Sequence, residues 1–168
     1  MTTANIILRP AVINDAESLA KFMNTLADEN LDTISGLRPT PAEELEFIEK
    51  AAKNGRAFFL IALDAHEVIG VLDLWAGERP SNRHTGRLGA SVLAPYRRRG
   101  IGRKLLEGAI HEANNWPDFC RIELEVVPWN EPAIRLYESA GFISEGLKRK
   151  AAILGGKPVD LVQMALVW

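Results

Sequence analysis

The chain has 168 residues, 47% hydrophobic and 25% charged, with 20 cationic and 22 acidic side chains and a formal net charge of −2. That size and composition fit one soluble globular domain over residues 1–168. The near-neutral charge excludes a global field for nucleic acid or anionic membrane, and no apolar run reaches the roughly 18 residues of a membrane span.

In chain order, Ile6 to Pro10 reads as a short strand ended by proline. Asp15 is positioned to cap a helix in which Leu19, Ala20, Phe22, Met23, Leu26 and Ala27 recur at helical spacing. Residues 29–41 read as a loop. Thr40 then precedes a second helix with Pro41 at its first position, Glu43 and Glu44 in its first turn, and Asn54-Gly55 at its end. Three apolar runs with short turns follow, Phe58 to Leu63, Val68 to Trp75 and Arg87 to Leu93, predicting an antiparallel meander covered on both faces. The next helix carries Ile101, Leu105, Leu106, Ala109, Ile110 and Ala113 on one stripe. Cys120 to Val127 is a strand, Asn130 opens a helix that Gly141 closes, and two last strands lie near 142–150 and 158–167. This order predicts an α/β fold with a mixed sheet of about seven strands and helices on both faces.

The one cysteine, Cys120, excludes an intrachain disulfide and suits a reducing compartment. Met-Thr-Thr-Ala-Asn at the start lacks the regions of a signal peptide, so a cytoplasmic protein is expected. No His/Cys cluster has metal-ligand spacing, so no metal is expected.

The densest chemical signal lies between the third meander strand and the helix after it. Residues 97–104 hold five cations (Arg97, Arg98, Arg99, Arg103, Lys104) and no acid, leaving 15 cations against 22 acids elsewhere. Gly100 and Gly102 sit among them, where a strand runs into a helix start. The first N–H groups of a helix have no partner within it, glycine lets backbone approach a ligand, and arginine adds charge-assisted donors. One bound polyanion is expected there. The spacing is wrong for a P-loop, which needs Gly-x4-Gly-Lys-Ser/Thr, and for a dinucleotide fingerprint.

Arg97-x-x-Gly100-x-Gly102 after Leu88-Gly89-Ala90-Ser91-Val92, followed by Asn130-x-x-Ala133-Ile134-x-Leu136-Tyr137-Glu138-x-x-Gly141-Phe142, resembles the two linked motifs of the Gcn5-related N-acetyltransferases. Ile7-Leu8-Arg9-Pro10 with Asp15-Ala16-Glu17 resembles the family's opening. The tail from Gly141 through Arg149-Lys150 to Asp160 is similar to the branch of L-amino-acid N-acyltransferases and ribosomal-protein N-acetyltransferases.

The resemblance implies an acyl-CoA N-acyltransferase fold, with acetyl-coenzyme A as cosubstrate and an acetyl group passed directly to a primary amine. The acceptor would be a small metabolite or amino acid. A protein N-terminal or lysine acetyltransferase and a non-catalytic acyl-CoA sensor are the alternatives, and relatives are often homodimers. It implies a strand splayed at Val92 to admit the pantetheine arm, with a backbone N–H near Val92 or Leu93 for the oxyanion. It places the pyrophosphate on Arg97, Arg98, Arg99, Gly100, Ile101, Gly102, Arg103 and Lys104, with Asn130 on the cofactor arm.

An ammonium with a pKa of about 10 must lose a proton before attack, and a thiolate whose conjugate acid lies near 8.5 must gain one. Tyr137 matches the family's acid, although a tyrosine on an apolar helix face also packs as core. Glu125 is the expected base. Ile122, Leu124 and Val126 alternate with Glu123 and Glu125, putting both carboxylates on one strand face, where a salt-bridged surface is the competing reading and Glu123 the fallback. Many relatives carry an acid where this chain has Arg87. Asn130 could cap its helix as well as hold cofactor. Trp75, Trp129 and Arg38 point to the acceptor pocket.

Overall fold

The computed structural model describes residues 6–29 and 36–168, and a seven-stranded mixed sheet runs through them. Its strands are β1 (Ile6–Pro10), β2 (Ala57–Asp64), β3 (Glu67–Ala76), β4 (Thr85–Val92), β5 (Arg121–Val126), β6 (Ile143–Leu154) and β7 (Lys157–Val167), in the spatial order β1-β2-β3-β4-β5-β7-β6. Only β4 and β5 run parallel. The helices are α1 (Ala16–Glu29), α2 (Pro41–Lys53), α3 (Ile101–Ala113) and α4 (Glu131–Ser139). Among the described residues no helix is long and apolar enough to cross a membrane.

The near-continuous apolar run of β2 follows from burial on both faces. Phe59, Ile61 and Leu63 pack with Leu19, Phe22 and Leu26 of α1 and Ile48 of α2. Leu60 and Ala62 point the other way, into a second cluster with Leu72, Leu74, Ile122 and Leu124 and the α3 stripe of Leu105, Leu106 and Ala109. Helices α3 and α4 thus cover one face, and α1 and α2 the other. Thr40, which precedes α2 as expected, is its N-cap. Its hydroxyl accepts from Glu43 N–H at 3.3 Å, and the Glu43 carboxylate accepts from Thr40 N–H at 2.7 Å.

Asp15 departs from expectation. It ends a short 3-10 turn, Ile13–Asp15, ahead of α1, and its carboxylate accepts from Val12 N–H at 2.8 Å. Both oxygens also take the Arg9 guanidinium, at 2.7 and 2.8 Å. The carboxylate is 7% exposed and serves as an anchor between β1 and α1 rather than as a cap on the long helix. The expected loop at 29–41 also changes at its edges, since Glu29 is the last residue of α1 and residues 30–35 lie outside the described residues.

Gly86, at the start of β4, is required by packing. A Cβ there would stand 2.6 Å from Phe119 Cζ and 3.0 Å from Leu74 Cδ1. Phe119 has little room to retreat, because Trp116 and Trp168 flank it at ring distances of 5.0 and 5.9 Å. Gly86→Ala is expected to cost about 1–2 kcal/mol of stability. A lower urea midpoint with an unchanged m-value would report it; an unchanged midpoint would contradict it.

Candidate active site

The site begins where two strands part. β4 and β5 pair only over Thr85–Arg121, Gly86–Ile122 and Arg87–Glu123, although β4 continues to Val92 and β5 to Val126. Beyond Arg87 the strands separate and leave a wedge open towards the glycine loop. The Leu93 N–H donates to Ile69 O of β3 at 3.0 Å. Because successive amides of a strand point to opposite edges, Val92 N–H and Ala90 N–H turn away from β3 and into the wedge. Of the two donors expected from sequence, Leu93 is therefore committed to the sheet, and Val92 faces the opening.

At the wide end, Leu93 leads through a short 3-10 turn, Ala94–Tyr96, to the basic loop. Arg98 and Gly100 take positive φ of 64° and 79°, and Gly100 is the N-cap of α3. Nothing stands within 4 Å of a Cβ position on Gly100. The first N–H groups of α3, at Ile101, Gly102 and Arg103, are thus presented at a loop edge with open space beside it. The five cations divide. Arg98 and Lys104 make no ion pair among the described residues, and Arg99 lies over the Tyr96 ring at 5.3 Å. Arg97 instead donates to Val92 O at 2.8 Å and to Glu29 at 2.9 Å, while Glu29 also accepts from Ala94 N–H. Arg103 turns to α4, donating to the Ser139 hydroxyl at 3.0 Å. Gly102 lets α3 and α4 approach, since a Cβ there would meet Leu136 Cδ2 at 3.2 Å.

The two proton-handling candidates lie on opposite faces of the sheet. Tyr137 of α4 belongs to the cluster with Ile101, Leu124 and Val126, against which Ala90 and Val92 pack. Burial pushes its hydroxyl up to about 12, so it keeps its proton throughout the ordinary pH range. Its ring lies 5.7 Å from Phe142. Asn130 caps α4, accepting from Ala133 N–H at 3.3 Å. Glu125 lies on the α1/α2 face, at the fork of the wedge, with a side chain 15% exposed. One oxygen takes Arg87 Nη2 at 2.8 Å and the other Lys148 Nζ at 2.6 Å, so Glu125 reaches the expected face as the centre of a cation clamp. Glu123 is held by Arg121, which also binds Glu145.

The wedge offers inward amides, and the open helix start beside it offers unpaired N–H groups and cations suited to an anion. The acetyltransferase (GNAT) family matches residues 22–142. The chain belongs to the GNAT acetyltransferase family.

This acetyltransferase is 29% identical over 164 residues to the L-amino acid N-acetyltransferase AaaT of Escherichia coli K12, covering 98% of this chain and 99% of that protein. A GNAT-family acetyltransferase from Streptococcus pneumoniae superposes with a TM-score of 0.91 at 29% identity, covering 98% of this chain and 100% of the other. The Salmonella typhimurium acetyltransferase yncA, solved with its cofactor acetyl-CoA, shares the fold at a TM-score of 0.86 and 21% identity, over 96% of this chain and 93% of that one.

Sequence reasoning passed over Asp73. It lies on β3, between Val71 and Trp75 on the α1/α2 face, opposite Gly89 of β4. Burial pushes its carboxyl up to about 6, while Trp75 and the charge of Arg87 act in the other direction. Trp75 itself packs on Phe47 at 5.1 Å with Lys50 above its ring at 5.4 Å. One acid inside an apolar strand was the available signal. Arg38, a pointer to the acceptor pocket, pairs with Asp28 at 2.6 Å, and Trp129 is 49% exposed.

Proposed function

We propose that the enzyme transfers an acetyl group from acetyl-coenzyme A directly to the primary amine of a small molecule, an amino acid in the first instance. The parting of β4 from β5 beyond Arg87 carries this reading, because paired strands would leave no amide free for an acyl-pantetheine arm. The E. coli relative's activity on L-amino acids supports the acceptor class.

The residues fit the cosubstrate. Arg98, Arg99 and Lys104 with the first amides of α3 suit a pyrophosphate. Arg97 keeps the loop folded against Val92 and Glu29, and Gly100 leaves the space. Asn130 fixes the start of α4 beside the wedge. Acetyl-coenzyme A supplies the acetyl group as an activated thioester. Val92 N–H, directed into the wedge, is placed to stabilise a developing oxyanion. Tyr137 holds the proton that a departing thiolate needs, on the α3/α4 side. Glu125, the base expected from sequence, stands at the fork of the wedge with Arg87 on one oxygen and Lys148 on the other.

Release of free thiol from acetyl-coenzyme A, measured across a panel of amino acids, small amines and N-terminal or lysine peptides, tests the reading. Turnover with an amino acid supports it. Turnover restricted to peptides establishes the protein-acetyltransferase alternative, and tight acetyl-coenzyme A binding with no turnover establishes a sensor.

A further inference from the structure

We propose that Asp73 is the catalytic base of this acetyltransferase, the carboxylate that seats the acceptor ammonium and takes its proton. The inference rests on the N-acetyltransferase reading above and adds a residue to it.

Three observations converge. First, Asp73 shares a sheet face with Trp75 and stands directly across from Gly89, the residue next to the Ala90 amide that points into the wedge. A Cβ on Gly89 would come within 2.9 Å of Asp73 Oδ1. Glycine therefore makes room for the carboxylate and leaves no side chain between it and the thioester side of β4. Secondly, Asp73 forms no ion pair among the described residues, in contrast to Glu125, whose two oxygens are both taken. A carboxylate largely removed from water without an ion pair, helped by Trp75 and the charge of Arg87, is costly to the fold and suits a ligand of opposite charge. Thirdly, the walls suit an ammonium. Phe59 adjoins Asp73 in register, and Phe47 touches both Phe59 and Trp75 at 5.1 Å. Aromatic faces beside a carboxylate attract a cation.

The charged neighbours are few. Glu44 of α2, 7% exposed, is raised by burial and then by the Asp73 charge, with Glu43 adding to it. Arg87 of β4 acts from the other side, and Lys50 of α2 stands over Trp75. Burial raises the proton affinity of Asp73 towards neutrality, against the opposing pull of Trp75 and the Arg87 guanidinium, which suits a group that must accept a proton and then release it.

The step balances as follows. Asp73 takes one proton from the ammonium, and the freed nitrogen lone pair forms the C–N bond at the thioester carbonyl. The C–S bond breaks with its electron pair on sulfur, and Tyr137 protonates that sulfur. The nitrogen gives up its second proton, which restores Tyr137 through solvent, and Asp73 releases its own to water. The ammonium loses two protons in all; one appears on the thiol and one in solution.

The test is the pH dependence of kcat/KM with the best amino acid of the panel, for wild type, Asp73→Asn, Glu44→Gln and Glu125→Gln, with acetyl-coenzyme A affinity measured calorimetrically for each. Wild type is expected to lose activity as pH falls through about 6, where the carboxylate protonates. Asp73→Asn should lose about 10²-fold or more, lack that acid limb and bind acetyl-coenzyme A normally. A fluorinated analogue of the acceptor, with an amine already neutral at neutral pH, should recover at least about tenfold of the deficit, which a merely structural role would not produce. Asp73→Asn turnover near wild type, or a limb that vanishes in Glu44→Gln or Glu125→Gln but persists in Asp73→Asn, overturns the proposal. Absence of wild-type turnover with every amine overturns the underlying reading instead.

Discussion

Tyr137→Phe is expected to lower kcat by about 10²–10⁴-fold and to leave acetyl-coenzyme A affinity within about twofold. The substitution removes one oxygen and keeps the ring that packs against Phe142. The hydroxyl forms no hydrogen bond among the described residues, so no partner is stranded and the urea midpoint should not fall. The deficit should be uniform across neutral pH, because burial holds the wild-type hydroxyl at about 12, protonated over that whole range. A deficit confined to KM would mean that Tyr137 only shapes the wedge. Unchanged kcat would remove it from proton delivery and leave the leaving thiolate to solvent.

Tyr137 and Asp73, the proposed acid and base, lie on opposite faces of the sheet, and that separation bears on what could be read in the sequence. The strands, the helices, their caps and the glycine loop depend on neighbours a few residues apart. Thr40 with Glu43, Asn130 with Ala133 and the α3 stripe of Leu105, Leu106 and Ala109 announce themselves locally. The linked motifs around Arg97 and Tyr137 carried the fold and the donor for the same reason. The acceptor side has no such local grammar. Glu125 is read as a base because its strand alternates, but the clamp around it is not local: its cations come from Arg87 on β4 and from Lys148, 23 residues further along the chain. The role of Asp73 depends on Gly89, Glu44 and Arg87, which only the register of β3 against β4 and the docking of α2 bring together. The partner of Arg97 is equally distant in sequence, since Glu29 lies 68 residues away.

The same two kinds of carboxylate should give opposite stability profiles with pH. Asp15 is held by Arg9 through two contacts of 2.7 and 2.8 Å, and the guanidinium keeps its carboxyl below the ordinary value of 3.8. A depressed folded pKa adds stability above the unfolded value, and that stability is lost as pH falls through the folded pKa. Arg9→Ala should therefore cost about 2 kcal/mol at neutral pH, below the full cost of breaking a buried pair because Arg9 is 37% exposed. The cost should shrink as pH falls below about 4, where Asp15 loses its charge in the unfolded chain and then in the folded one. Asp73 runs the other way. Its folded pKa of about 6 stands above 3.8, so its contribution is fully present below 3.8 and is lost as pH rises through 6. Asp73→Asn should then stabilise the protein at neutral pH, by up to about 2–3 kcal/mol, and have little effect near pH ~4. Urea melts of both variants at the two pH values check the signs. Lost stability for Asp73→Asn at neutral pH would identify Asp73 as a structural partner; gained stability with lost turnover would show a charge maintained against the interest of the fold, as a base facing an ammonium requires.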